Sequence, residues 1–353
     1  MYMVQYNPWG GHADLAEWLL EQGPILDAGF WVLNGVAHGH DLPALQRAWL
    51  RFGPCLGVLS CAAGSPTPDW AAKVEWLEAQ GARRREDAAA RAAGLPDDGE
   101  ALARLTWLLG RGYPVDGDAV LAAARSGNTA ALQYLLAEGP VGGAEYMEAC
   151  QAAFSGGHLA SLQALHAAGR LKRPRRYNCA ASAARGGHLH VLVWLLEAQL
   201  LELHEDVFNA AVRSGSVEVL AWLRQRGCPW GSNAYLGAVA AGCETVLEWL
   251  VEQGCPMEDS GQPYLEACRN GDLATARCLR RLGVPWGPAG RVVYVAATQS
   301  RAPLPLLRWM LEEGCSIDFE ATCKGLEQWR SDRPHWVGQV LQLLQEHMDR
   351  RQR

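Results

Sequence analysis

A segment built around Trp-Leu and a following glycine recurs about eleven times along this chain. The clearest copies run Trp18-Leu19 to Gly23, Trp76-Leu77 to Gly81, Trp107-Leu108 to Gly112, Trp222-Leu223 to Gly227, Trp249-Leu250 to Gly254 and Trp309-Met310 to Gly314, with a further Trp194-Leu195. Weaker copies put Ala48 before Gly53, Tyr134 before Gly139, Ala164 before Gly169 and Cys278 before Gly283, and closing glycines follow one another at 27 to 31 residues. A period in that range means small supersecondary units stacked in a row, none able to bury its apolar face alone. It overrides the two or three domains that 353 residues would otherwise suggest.

One copy shows how the unit folds. Asn233 is placed to cap a first helix, in which Tyr235, Leu236, Ala238 and Val239 follow at helical spacing. Gly242 ends that helix, because glycine accepts the left-handed conformation at C′. Cys243 and Glu244 open a second helix with an apolar stripe of Val246, Leu247, Trp249, Leu250 and Val251. Gly254 ends it and Pro256 prevents continuation. Elsewhere first-helix caps are expected at Asp118, Asn178 and Asp206, and inter-helix turns at Gly127-Asn128, Gly157-His158, Gly187-His188, Gly215-Ser216 and Gly271-Asp272. The residue after the turn glycine is expected to satisfy the next helix's free N–H groups, which makes a histidine there structural rather than a metal ligand. Alanine pairs near the ends of first helices (Ala123-Ala124, Ala152-Ala153, Ala183-Ala184, Ala210-Ala211, Ala240-Ala241) let neighbouring units approach. The repeated tryptophans Trp194, Trp222, Trp249 and Trp309 read as inter-repeat wedges; the other reading, a stacking platform for bases, wants basic residues around them.

The segments Ala183-Ala184-Arg185-Gly186-Gly187-His188-Leu189 and Ala123-Ala124-Arg125-Ser126-Gly127-Asn128 resemble the core of an ankyrin repeat, with its A-A-x-x-G-H/N-L between two helices and L-L-x-x-G at the close. The endings Gly227-Cys228-Pro229-Trp230, Gly254-Cys255-Pro256-Met257 and Gly283-Val284-Pro285-Trp286 are similar to a divergent, short-repeat subclass of protists, algae and large viruses. The resemblance runs from about Gly10 to Ile317 and is strongest from Gly117 to Trp286. It implies an all-α, ankyrin-like helix-turn-helix solenoid of about ten to eleven repeats that binds another protein on its concave face. Two features depart from the family. The T-P-L-H tetrapeptide is absent, and the roughly five residues between Gly227 and Asn233 leave no room for a β-hairpin finger, so short or absent fingers are expected.

The solenoid is expected to span residues 1–332, degenerate over 1–109 and regular over 117–286, with 333–353 as a C-terminal capping helix presenting Trp336, Val337, Val340, Leu341 and Leu344. Loops at Gly64 to Pro68 and Gly94 to Gly99 replace the glycine turn in the degenerate part. The chain begins almost inside a repeat, so either Met1 to Trp9 forms a makeshift cap or the N-terminus is truncated.

Composition narrows the function. The net charge of −6 gives no general attraction to nucleic acid or to anionic lipid. No apolar run reaches the length of a bilayer span, and the start has no secretory leader pattern. Eleven cysteines without a C-x-x-C pair fit reduced thiols in the cytoplasm or nucleus. No phosphate loop, metal set or nucleophile–base pair emerges, since His188 and His190 point to different sides of one helix. The expectation is therefore a monomeric, cofactor-free scaffold and not an enzyme. A targeting adaptor, such as a ubiquitin-ligase substrate receptor or a nuclear shuttle, is the alternative. The run Arg170 to Arg176 reads as a solvated loop or a nuclear signal.

One set of residues stands out as a binding candidate. Arg125, Arg185, Arg213 and Arg269 each lie two residues before a turn glycine, and stacking would align three of them nearly in register. They either bond neighbouring carbonyls or form a groove for an acidic peptide, since the guanidinium fork suits carboxylates. The turn glycines Gly187, Gly215 and Gly242 hold the framework beneath them.

Overall fold

The structure is a computed structural model that describes residues 28–138, 143–171, 179–231 and 233–352. The copy at Trp18-Leu19 and Gly23, the segment Met1 to Trp9, the cap Asn178 and most of the basic run lie outside the described residues. Among the described residues there are twenty-two α-helices, one π-helical turn and no strand, so the chain is all-α and no hairpin finger is present there.

The chain divides into two compact units, residues 1–179 and 180–353. In the first, helices come in pairs: α1 (Ala28–Gly39) with α2 (Leu42–Phe52), α3 (Val58–Ala63) with α4 (Trp70–Ala79), α5 (Glu86–Ala93) with α6 (Asp98–Gly110), α7 (Gly117–Ser126) with α8 (Thr129–Glu138), and α9 (Gly143–Gly156) with α10 (Leu159–Ala167). The second unit holds α11 (Cys179–Arg185) with α12 (Leu189–Glu197), α13 (Glu205–Ser214) with α14 (Val217–Gln225), α15 (Ala234–Ala240) with α16 (Glu244–Glu252) and α17 (Gln262–Asn270) with α18 (Leu273–Arg281). It closes with α19 (Arg291–Val295), a π-turn (Ala296–Ser300), α20 (Leu304–Glu312), α21 (Phe319–Glu327) and α22 (Pro334–Gln352). Within each unit first helices pack on first helices, as α5 on α7 or α15 on α17, and second helices on second helices, as α6 on α8 or α16 on α18.

The packing follows from one repeated pair of positions. The residue after each repeated tryptophan is fully buried: Leu77, Leu108, Leu195, Leu223, Leu250 and Met310 are at most 1% exposed. Each such side chain contributes about 1.5–3 kcal/mol by leaving water. On the first helix an alanine four residues before the turn glycine is fully buried in every regular copy, as in Ala123, Ala153, Ala183, Ala211, Ala238 and Ala267. That alignment moves one expected pair: Ala240-Ala241 lies on the exposed side, and Gly237-Ala238 takes the packed place. Of the tryptophans, Trp222 and Trp309 are buried, whereas Trp194 and Trp249 are half-buried. They line the seam between pairs, where Trp49 meets Trp76 edge-on at 5.7 Å and Trp230 meets Trp249 at 6.2 Å.

Most of the regular helix ends share one closure. The N–H after the left-handed residue bonds back to the carbonyl five residues earlier, as in Cys228 to Leu223 (3.0 Å), Cys255 to Leu250 (2.8 Å) and His188 to Ala183 (3.0 Å). This is the Schellman closure, and it needs a left-handed residue at the turn. Gly187 and Gly242 supply it with φ of 74° and 64°; Gly215 is left-handed too (φ 75°), but there Ser216 N–H bonds Ser214 Oγ (3.1 Å). Two residues are left-handed without being glycine: Gln199 (φ 55°) at a second-helix stop and Arg301 (φ 53°) at an inter-helix turn. At Arg301 the unit also carries an extra residue. The π-turn absorbs it, and Ala302 N–H bonds the Ala296 carbonyl six residues back.

N-caps differ from expectation in detail. Asp116 caps α7 by accepting from Asp118 N–H (3.0 Å), so Asp118 lies in the first turn. Asp206 likewise lies in the first turn of α13, behind His204. Both acids still favour the positive helix end. α22 packs on α20 and α21 through Val337, Val340, Leu343 and Leu344, all buried.

A left-handed side-chain residue costs about 1–2 kcal/mol and glycine's extra unfolded entropy returns part of that, so Gln199→Gly and Arg301→Gly should each stabilise by roughly 0.5–1 kcal/mol. Urea unfolding is the measurement, and a lowered midpoint in both variants would contradict the turn assignment.

Candidate functional site

The last carbonyls of a helix have no partner inside it and must find one elsewhere. In the first unit a side chain from the following pair supplies that partner at four successive interfaces. Lys73 on α4 is completely buried, and its Nζ donates to the carbonyls of Ala37 and His40, both at 2.8 Å, at the end of α1. Arg104 on α6 is 1% exposed and donates to the carbonyls of Ala63 (2.8 Å) and Ser65 (2.7 Å) beyond α3. Its guanidinium lies 4.5 Å over the Trp70 ring and also pairs with Glu100. Asn128 Nδ2 donates to Ala93 (2.8 Å) and Leu95 (2.7 Å) at the end of α5. His158 Nε2 meets the Arg125 carbonyl (2.9 Å) at the end of α7. Asn128 and His158 thus serve the preceding pair, and α10 receives no side-chain cap from His158. Ser216 and Asp272 do cap their own helices, accepting from Val219 N–H (3.3 Å) and Thr275 N–H (3.0 Å).

The candidate arginines stand at the same helix ends. Arg125 closes α7 in the first unit; Arg185, Arg213 and Arg269 close α11, α13 and α17 in the second. All four side chains are exposed. In the second unit the row is interrupted, because α15 carries Ala240 at that place, and Arg269 ion-pairs with Glu266 at 2.8 Å. The turns beneath the row are packed together: a Cβ at Gly187 would stand 3.7 Å from Ser216 Cβ and 3.8 Å from Ser214 Cβ.

A groove of about 410 Å³ opens in the first unit across the ends of α3, α5 and α7. Arg91 and Arg125 line it, with Pro66 on one wall and Leu95 and Pro96 on another. These prolines belong to the two loops that interrupt the regular turns. A second groove, about 480 Å³, lies among the inter-pair loops beside Trp49, Leu56 and Arg83 to Arg85. Two of its arginines are engaged, Arg84 with Glu78 (3.0 Å) and Arg85 with Asp87 (3.6 Å).

Lys73, Arg104 and Arg91 were not singled out by the sequence reading. A signal for the first two was present: each stands eight residues before a closing glycine, where other copies place Leu45, Ala131 or Val191. All eleven cysteines are unpaired thiols. Among the described residues no three of His, Cys, Asp or Glu are grouped as a metal site, and no helix is long and apolar enough to cross a membrane.

No protein-family model matches the sequence, and no curated protein matches it. Among solved structures the chain is similar to the pentatricopeptide repeat protein PPR10 from maize, with 13% identity and a TM-score of 0.33. The match covers 92% of this chain and 55% of that one, so the chain spans about half the length of that protein. At that level of likeness no binding role passes from that protein to this chain.

Two expectations follow from the buried groups. Asn128→Ala strands two buried carbonyls and should destabilise by about 2–3 kcal/mol in urea unfolding, and an unchanged midpoint would contradict the capping role. Burial pushes the thiols of Cys55, Cys61, Cys150, Cys228 and Cys255 up to about 11, and those of Cys179, Cys268 and Cys315 to about 12, from an ordinary value of 9.0. The folded state therefore favours the neutral thiols; their contribution is intact below pH 9 and is lost as pH rises toward 11–12. Lys73 acts oppositely: burial holds it near 8, against 10.5, so its share rises between those values. Eight thiols outweigh one lysine, and the unfolding midpoint should fall between pH 9 and pH 11. A midpoint that holds or rises over that range would refute the assignment.

Proposed function

We propose that this chain is an ankyrin-like, non-catalytic scaffold that binds a partner protein through the face carrying the inter-helix turns. The observation that supports it is the exposed placement of Arg125, Arg185 and Arg213 at equivalent helix ends. In the first unit the half-buried His158 ring meets the Arg125 backbone carbonyl (2.9 Å), and the Arg125 side chain is exposed. Guanidinium forks on a rigid framework recognise carboxylates with defined geometry, and rigidity limits the ordering cost of binding.

The partner is a protein or peptide and not nucleic acid or membrane. A net charge of −6 disfavours phosphate backbones and anionic lipid, leaving only local basic clusters as anion sites. Eleven free thiols fit a reducing compartment, cytoplasmic or nuclear. The proposal includes no turnover and no cofactor, and it takes the chain as a monomer.

Affinity capture from the native cell, comparing wild type with the Arg185→Glu/Arg213→Glu double variant, tests this reading. The expected result is a protein retained by wild type and lost with the variant, while the thermal melt is unchanged. Equal retention by both, or none by either, would overturn it.

A further inference from the structure

We propose that the groove between the loops after α2 and α4 is a second interaction surface, which takes an aromatic side chain of a partner peptide while Arg83 holds a neighbouring carboxylate. It lies among the inter-pair loops and shares no residue with the row of Arg125, Arg185 and Arg213.

Two loops of the second unit show how the space between pairs is filled from within. Three residues after the closing glycines Gly227 and Gly283 stand Trp230 and Trp286. Each indole reaches from the first helix of its own pair to the second helix of the next. Trp230 meets Phe208 on α13 at 5.3 Å and Trp249 on α16 at 6.2 Å. Trp286 meets Tyr264 on α17 at 4.0 Å and Trp309 on α20 at 5.9 Å. An arginine from the intervening second helix lies over each ring, Arg224 at 4.0 Å and Arg280 at 5.5 Å. An aromatic ring between pairs with a guanidinium on its face is therefore a contact this framework makes twice.

The loops after α2 and α4 carry no such ring. Their third residues after the glycine are Leu56 and Arg84. Asn34 pins the first loop by donating to the Leu56 carbonyl (3.3 Å), and the Leu56 side chain is left 71% exposed. Arg84 turns away to Glu78 (3.0 Å) and the Arg111 carbonyl (2.6 Å), 5.7 Å from the Tyr113 ring. Both loops are thus held in place, and about 480 Å³ stays open between them. Ligand sites typically measure about 300–1,000 Å³. Trp49, Pro54 and Leu56 give this one apolar surface on which a ring can be buried.

Charge fixes the rest of the ligand. Arg83, Arg84 and Arg85 line one wall. Arg84 is committed, and Arg85 pairs with Asp87 at 3.6 Å. Arg83 is exposed and has no ion pair or hydrogen bond among the described residues. Glu86 also lines the groove, but it stands in the first turn of α5, where the free N–H groups offset its charge. A free guanidinium fork beside an apolar floor suits a carboxylate next to an aromatic residue.

The test is selection of random short peptides, displayed on phage, against the immobilised full chain. Recovered peptides should carry a tryptophan, tyrosine or phenylalanine with an aspartate or glutamate close by. They should bind Leu56→Asp and Arg83→Glu about tenfold more weakly or worse, and Arg185→Glu/Arg213→Glu like wild type. Leu56 and Arg83 are exposed, and an unchanged melt confirms the fold of each variant. The inference is overturned if no peptide is recovered, if the peptides lack the aromatic–acidic pair, or if they bind either variant like wild type. It is also overturned if a short oligothymidylate displaces them, which would make the groove a base-stacking site. Peptides lost only with Arg185→Glu/Arg213→Glu would overturn the groove and leave the turn-face reading standing.

Discussion

The first helices of the first unit end in carbonyls that have no partner within their own helix, and those of Ala37, Ala63 and Ala93 belong to buried residues. An unpaired buried carbonyl costs about 1–3 kcal/mol, so a stack of such helices stands only if each end finds a donor. The first unit solves this by having each pair reach back to the one before it. Lys73, Arg104, Asn128 and His158 are chemically unlike, yet each donates to the end of the preceding first helix. The bond therefore joins repeats rather than merely ending a helix. It also explains two charged side chains, Lys73 and Arg104, in a largely apolar core.

The donors vary with the turn inside their own pair. Where that turn is a glycine and one polar residue, the polar residue itself reaches back, as Asn128 and His158 do. Where a longer loop replaces the turn, after α3 and after α5, the donor is a long cation from the second helix of that pair, Lys73 and Arg104, and Lys73 Nζ also donates to Ser65 Oγ (2.7 Å) in the loop after α3. The loops and the buried cations are thus one adaptation. A cation buried without partners would be costly, but here each meets two carbonyls and a third group, which meets the condition for keeping charge in a core.

Much of the framework was legible in the sequence. Glycine has few reasons to recur at a fixed period, so helix stops could be placed from Gly187, Gly215, Gly242 and Gly254 alone. The absence of strands followed from the short link between Gly227 and Asn233. Capping was less legible, because local rules assign a polar residue after a glycine to its own helix. Ser216 and Asp272 obey; Asn128 and His158 answer to a tertiary acceptor that no local pattern shows. Asp116 and Asp118 are both in reach of one helix start, which is why the cap could be displaced by two residues. Gln199 was visible only as a missing glycine. The site was least legible. Arg125 belonged to a visible row, but Arg91 did not, because its turn is displaced by the loop at Gly94.

The same displacement separates framework from recognition. In a regular array a given position sees the same surroundings in every copy, so any surface it offers is repeated and unselective. Specificity needs a place where the repeat fails without the stack failing. Around α3 to α7 the two loops alter the outer surface, while Lys73, Arg104 and Asn128 keep the inner contacts paired.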